Sequence, residues 1–217
     1  MRTIRVTTAV LGLMMLAGMR APAPTNSTTR PVVKTETAVF AGGCFWGIQA
    51  VFQHVKGVLS ATSGYAGGWI AHPSYEDVSS GRTGHAESVK VVFDPSVVSY
   101  GTLLRVFFSV AHDPTELNRQ GPDVGTQYRS IVFYTTDEQK REVQAYIDQL
   151  QKAHFFSQPI VTQVVAFKQF WIAEAYHQNF AAEHPDNAYI AINDAPKVAN
   201  LRRMFPELYS ATLASHE

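Results

Sequence analysis

Apolar residues along this chain switch repeatedly between the two-residue period of a strand and the longer period of a helix. Thr37 to Phe40 is a β-rich run, and Gly42 and Gly43 permit a sharp turn after it. From there Phe45, Ile48, Val51, Phe52 and Val55 recur at helical spacing as far as Lys56-Gly57, read as a basic last turn and a stop. Val58 to Ser63 reads as the next strand, and Gly64-Tyr65-Ala66-Gly67-Gly68-Trp69 as a loop too rich in glycine for a regular element. Ser74 then caps a short helix with Tyr75 in its first turn. Ala86 to Phe93 alternates, with Glu87, Val89, Val91 and Phe93 on one face and Ala86, Ser88, Lys90 and Val92 on the other.

Further along, Ser99 caps a helix whose Leu103, Leu104, Phe107, Phe108 and Val110 form a broad apolar face. Ala111 to Tyr128 has no usable period. A polar loop of that length is functional or disordered, and its prolines, glycines and following strand favour an ordered functional loop. Ser130 to Tyr134 is that strand, and Thr136-Asp137-Glu138-Gln139 fits a capping box before a helix buried through Val143, Tyr146, Ile147 and Leu150. Ile160 to Phe167 is a β-branched run, Phe170 to Phe180 is read as a short helix, and Asp194-Ala195-Pro196 caps a last helix holding Val198, Leu201 and Met204. Interleaved strands and helices predict an α+β fold, a two-layer sandwich with a mixed central sheet and flanking helices in a ferredoxin-like core, closing on coil and a short helix.

Composition narrows the class. The 217 residues, 46% hydrophobic and 12% aromatic, are enough for one good core, and 18 basic residues balance 18 acidic ones. No basic stripe calls for nucleic acid, so the expected partner is a small group or another protein, and the chain is expected to be a monomer. Arg2 and Arg5, the apolar run Val6 to Ala17 and the small residues Ala21-Pro22-Ala23 read as a secretory signal over 1–23, the run being shorter than the roughly 20 residues a bilayer span needs. Met19 stands where a lipoprotein would carry cysteine. A linker at 24–36, one catalytic domain at 37–210 and a tail at 211–217 complete the organisation. Export to the periplasm is expected, with tethering by an uncleaved leader as the alternative.

Two side chains carry candidate chemistry. Cys44 is the single cysteine and falls at the first turn of a helix, where unpaired N–H groups and the dipole favour a thiolate. Its glycine and aromatic flanks suggest a sulfur presented beside an apolar pocket, and the alternative is a small buried hydrophobe. Glu87 sits on the apolar face of its strand, where desolvation raises a carboxyl pKa and makes a general acid. The alternative there is a strand-start glutamate reaching water at a sheet edge. Tyr75 reads equally as a core ring with a wet hydroxyl. His177 and His184 do not make a zinc pair, since they straddle a helix end in a chain with one cysteine.

The blocks Gly43-Cys44-Phe45-Trp46-Gly47, Gly64-Tyr65-Ala66-Gly67-Gly68, Pro73-Ser74-Tyr75, Gly84-His85-Ala86-Glu87, His112-Asp113-Pro114 and Gly125-Thr126-Gln127-Tyr128-Arg129-Ser130 resemble, in order, those of the peptide methionine sulfoxide reductase A family, over about Phe40 to Phe205. The resemblance implies reduction of methionine S-sulfoxide, free and in proteins, by attack of Cys44 on the sulfoxide sulfur, leaving a sulfenic acid. It casts Glu87 as the acid, Tyr75 and Tyr128 as hydrogen-bond donors to the sulfoxide oxygen, Asp123 as a residue ordering the site, and Phe45 and Trp46 as the apolar pocket for the methyl group. No bound cofactor is implied. Relatives often carry cysteines near the C-terminus that capture the sulfenic acid, but Pro185 to Glu217 contains none, so an external thiol, a thioredoxin-like protein or dithiothreitol in vitro, is expected. Gln49 stands where relatives often have glutamate, which leaves any second carboxylate in doubt. A cysteine hydrolase using His85 or His112, and a thiol-based redox sensor, are the competing readings.

Overall fold

The computed structural model describes residues 34–216, so the signal-sequence reading and most of the linker fall outside the described residues. Among these residues the strands are β1 (Glu36–Ala41), β2 (Val58–Ala66), β3 (Ala86–Phe93), β4 (Arg119–Gln120), β5 (Asp123–Val124), β6 (Ile131–Tyr134), β7 (Gln163–Ala166) and β8 (Phe170–Ile172). The helices are α1 (Phe45–Gln53), α2 (Tyr75–Ser79), α3 (Tyr100–Val106), α4 (Asp137–Lys152), α5 (Phe180–Glu183) and α6 (Ala195–Met204). One sheet runs β7-β6-β1-β3-β2-β8, and β4 and β5 form a separate hairpin.

Strand β3 lies between β1 and β2, antiparallel to both, while α1 carries the chain from β1 to β2. With β6 antiparallel to β1 on the other side, this is the split βαβ order of a ferredoxin-like core. Parallel pairing of β7 to β6 makes the sheet mixed. One sheet face, with Ala38, Phe40, Val89, Val91, Phe93 and Val132, packs against Ile48, Val51 and Phe52 of α1, Leu103 of α3, Val143 and Ile147 of α4 and Leu201 of α6. Phe40 stacks between Phe52, at 5.0 Å, and Phe107, at 4.7 Å. The other face buries only a smaller set around Val39, Ile131 and Phe133. Two layers follow, as the periodicity predicts.

Several local expectations are corrected. Strand β2 does not stop at Ser63 but continues to Ala66, because β3 and β8 pair with it on both sides, Tyr65 opposite Glu87 and Trp171. Gly64 is small for a packing reason: a Cβ there would lie 2.4 Å from the Phe170 ring and the Trp171 carbonyl oxygen. Phe170 to Phe180 is not one helix; β8 extends the sheet edge, and a 3-10 turn at Ala175–His177 and the left-handed Asn179 precede α5. Helix α1 ends at Gln53, before Lys56, and α3 widens into a π turn over Phe107–Ala111. Ser74 and Asp77 do form a reciprocal capping box. Thr136 caps α4 through the Gln139 N–H, but the Gln139 side chain reaches Thr135 instead of the cap. Asp194 makes no cap bond. Residues expected in the tail are pinned, Ala214 N–H to the Gln53 carbonyl and Ser215 N–H to that of Leu59.

Candidate active site

The turn from β1 into α1 places the sulfur. Gly43 has φ +101, a conformation open to glycine, and Cys44 follows as the residue preceding α1, only 8% exposed. Since β3 reaches past the paired end of β1, Glu87 comes to lie beside this turn, where Oε2 accepts the Phe45 N–H at 3.0 Å. Glu87 is 2% exposed in a central strand, which removes the edge alternative. Burial pushes its pKa up to about 8, with the Phe45 bond opposing the rise and the charges of Asp123 and Asp194 adding to it.

Cys44 departs from the helix-end expectation. Burial comes first in raising its pKa well above the ordinary thiol value, followed by the charges of Glu87 and Asp194; the Trp46 N–H and Lys197 pull the other way and lose. Near neutrality both groups at the turn therefore hold their protons, and a neutral Glu87 removes one of the two carboxylates opposing a thiolate.

Tyr75 and Tyr128, each half-buried, feel the same centre. Burial first, then the Glu87 charge, raises the pKa of both hydroxyls, so they remain donors. Tyr75 is held by its backbone N–H, which donates to Glu174 Oε1 at 2.8 Å, while Tyr65 O–H donates to Glu174 Oε2 at 2.8 Å. The loop read as functional folds as the β4–β5 hairpin and a 3-10 turn at Thr126–Tyr128, and Asp123 on β5 accepts a short hydrogen bond from Tyr189 O–H.

Trp46 and Phe45 differ in exposure. The Trp46 indole is half-buried, stacked on Phe180 at 3.9 Å and edge-on to Tyr189 at 6.0 Å, and Nε1 donates to His177 Nδ1 at 3.2 Å. Phe45 is wholly buried beneath it, against Tyr65 and His177. Burial lowers the His177 pKa against the pull of Glu174, so the ring is a neutral acceptor for the indole. Gln49 fastens this wall: Nε2 donates to the Ala61 carbonyl and to Gln178 Oε1, each at 2.9 Å, and Oε1 accepts the Asn179 N–H at 3.0 Å. A carboxylate in its place would forfeit both donor bonds.

The alternative base residues are engaged elsewhere. His85 accepts the Gly68 N–H on Nδ1 and donates from Nε2 to the Ile70 carbonyl at 2.7 Å. His112 donates to the Phe107 carbonyl and accepts from Ser130, with burial pushing its pKa down to about 4. Neither imidazole is free to take a thiol proton. Tyr65, Glu174, His177, Gln178, Tyr189, Asp194 and Lys197 join the site from distant segments without a local pattern to mark them. Among the described residues no group of three His, Cys, Asp or Glu side chains is placed to hold a metal.

A neutral acid and a thiol at one turn, two tyrosine hydroxyls close enough to feel the Glu87 charge, and an aromatic wall fit the site of a thiol-dependent reductase of a polarised oxygen group. The family described as peptide methionine sulfoxide reductase matches residues 36–208. Peptide methionine sulfoxide reductase MsrA 2 of Mesorhizobium japonicum is 60% identical over 176 residues, 81% of this chain and 90% of that protein. A protein of the same name from Synechocystis is 50% identical over 188 residues, 87% of this chain and 86% of the other. Among solved structures, Mxr1 from Saccharomyces cerevisiae in reduced form superposes with TM-score 0.65 at 32% identity, covering 71% of this chain and 88% of that one. Methionine sulfoxide reductase A of Corynebacterium diphtheriae gives 0.61 at 34% identity, over 70% and 76%. The chain belongs to the peptide methionine sulfoxide reductase family.

Proposed function

We propose that this protein reduces methionine S-sulfoxide, free and in proteins; its relatives carry the name methionine sulfoxide reductase, which supports the reaction. The observation that carries the reading is the Phe45 N–H to Glu87 bond, which ties the buried acid to the residue next to Cys44. Glu87 gives its proton to the sulfoxide oxygen, which makes sulfur electrophilic, with Tyr75 and Tyr128 donating to the same oxygen. Cys44 Sγ attacks that sulfur and its thiol proton passes to the Glu87 carboxylate. In the adduct the hydroxyl passes from the substrate sulfur to Sγ, so that the S–O bond and the new Sγ–S bond both break, methionine leaves as the thioether, and Cys44 carries the oxygen as S–OH. Atoms balance as thiol plus sulfoxide giving sulfenic acid plus thioether, a two-electron exchange. Trp46 faces the methyl group, with Phe45 supporting it from below.

With one cysteine in the sequence, recycling needs an outside thiol, and a thioredoxin-like protein is the reductant this reading expects. The first thiol forms a mixed disulfide with release of water, and the second frees Cys44. The Arg2 and Arg5 leader, with its apolar run to Ala17, supports export to the periplasm, checked by fractionating cells that express the full chain. The reaction itself is tested by incubating the protein with each pure epimer of a methionine sulfoxide peptide and dithiothreitol. Methionine is expected from the S epimer alone; two unchanged epimers would return the chain to the sensor or hydrolase readings.

A further inference from the structure

Strand β2 shifts its register against β3 between Val58 and Ser60, and the backbone groups beside the shift are taken up by the last described residues. The Leu59 carbonyl accepts the Ser215 N–H at 3.2 Å and the Ser215 hydroxyl at 2.9 Å, while Ala61 N–H donates to the Ser215 carbonyl at 3.0 Å. Ser210 N–H donates to the His54 carbonyl at 2.7 Å and Ala214 N–H to the Gln53 carbonyl at 2.9 Å. Residues 210–216 thus form a strap across the end of α1 and the start of β2. Two of its groups face side chains of the body. The Ala214 carbonyl accepts from Gln53 Nε2 at 3.3 Å, and His216 Nδ1 accepts from Asn179 Nδ2 at 2.8 Å.

Asn179 stands between the two residues that grip the Trp46 indole. His177, two positions earlier, accepts the indole N–H, and Phe180, the next residue, stacks on the ring. The chain turns between them because Asn179 has φ +57, a left-handed conformation that asparagine tolerates better than most side chains. Although it opens α5, its amide makes no cap bond. Instead Oδ1 accepts from Gln53 Nε2 at 2.7 Å and Nδ2 donates to His216, so α1 holds the amide from one side and the strap from the other. A rotation at Asn179 would move His177 against Phe180, and the indole would lose its acceptor or its stack.

We propose that the strap is a positioning element for Trp46, with His216 and Ala214 acting through Asn179 and Gln53 to hold the wall that receives the substrate methyl group. The proposal rests on the reductase reading for what Trp46 faces. The strap touches neither Cys44 nor Glu87, so it sets the affinity for the sulfoxide and leaves the chemical step alone.

The test releases the strap in the full chain with Ala214→Pro/His216→Ala, which removes the N–H to Gln53 and the acceptor for Asn179. KM for an S-epimer methionine sulfoxide peptide should rise about fivefold, the scale of one lost intramolecular hydrogen bond, with kcat held within about twofold. In Trp46→Phe the same release should leave KM where it was, because both changes act on one contact. His216→Ala alone should raise KM about threefold and His216→Gln, whose Oε1 can accept from Asn179, should restore it; that pair decides the question if the double variant does not fold. A second readout needs no turnover. With Trp69→Phe/Trp171→Phe, which leaves Trp46 as the one tryptophan, releasing the strap should shift the emission to the red and increase quenching by acrylamide. An unchanged KM, a rise equally large in Trp46→Phe, or an unchanged emission overturns the positioning role and leaves the reductase reading intact. Turnover absent from every variant, with the emission shifted, overturns the reductase reading and keeps the hold of the strap on the indole.

Discussion

The backbone N–H of Phe45 and the carboxyl of Glu87 are joined at 3.0 Å, one residue from the sulfur of Cys44. Because β3 is central and α1 covers it, this carboxyl is almost wholly withdrawn from water, and burial raises its pKa to about 8. The contact sets where the acid stands, and burial, against the pull of that contact, sets which proton state it keeps.

Replacing Glu87 by Gln keeps the shape and removes the proton. Glu87→Gln is expected to slow methionine release in a single turnover by about a hundredfold or more, with KM changed only a few-fold. In the unaltered protein the same step should weaken as pH rises through about 8, the value at which Glu87 loses its proton. Stopped-flow rates from pH 6 to 9.5 check both; a Gln variant at near-normal rate would move the acid role to another residue.

The raised pKa also makes a statement about stability. Folding favours protonated Glu87, so its contribution is fully present below the ordinary carboxylate value of 4.5 and is lost as pH rises toward about 8. Glu87→Gln does not ionise. Its Tm relative to the unaltered chain should therefore climb steadily across that window, which parallel thermal melts at pH 4.5, 6 and 8 will show. A difference that stays flat with pH would mean that the carboxyl is ionised without cost.

The Trp46 wall depends on His177. Its Nδ1 accepts the indole N–H while Gln49 pins the Gln178–Asn179 segment that follows. His177→Leu leaves the indole donor unpaired and should cost about 1–3 kcal/mol of stability. Trp46→Phe keeps a ring but loses the bond, and is expected to raise KM for the sulfoxide more than it lowers kcat. Urea melts and steady-state kinetics on the two variants separate the effects; an unchanged KM in Trp46→Phe would remove the indole from substrate binding.

Much of this arrangement was legible along the chain wherever one element decided it. The alternation of Ala86 to Phe93 places Glu87 with Val89, Val91 and Phe93 because a central strand has one face under the helices. The glycines before Cys44 mark its turn for a similarly local reason. What escaped depends on pairing across distance. Gly64 to Ala66 reads as loop until β8 arrives to hold it in the sheet, and Phe170 to Ile172 reads as helix until β2 claims it. The thiol pKa went the opposite way from the helix-end argument because the sulfur is buried, first, and because the charges of Glu87 and Asp194, remote in sequence, act on it as well. The bonds of Tyr65 to Glu174, Trp46 to His177 and Tyr189 to Asp123 leave no periodic trace either.

The most direct measurement is one turnover without reductant. Mass spectrometry of the full chain mixed with excess S-epimer peptide should find one methionine per protein, one added oxygen on Cys44 and no reaction in Cys44→Ser. Methionine formed by Cys44→Ser, or none formed by the unaltered protein, would contradict the account.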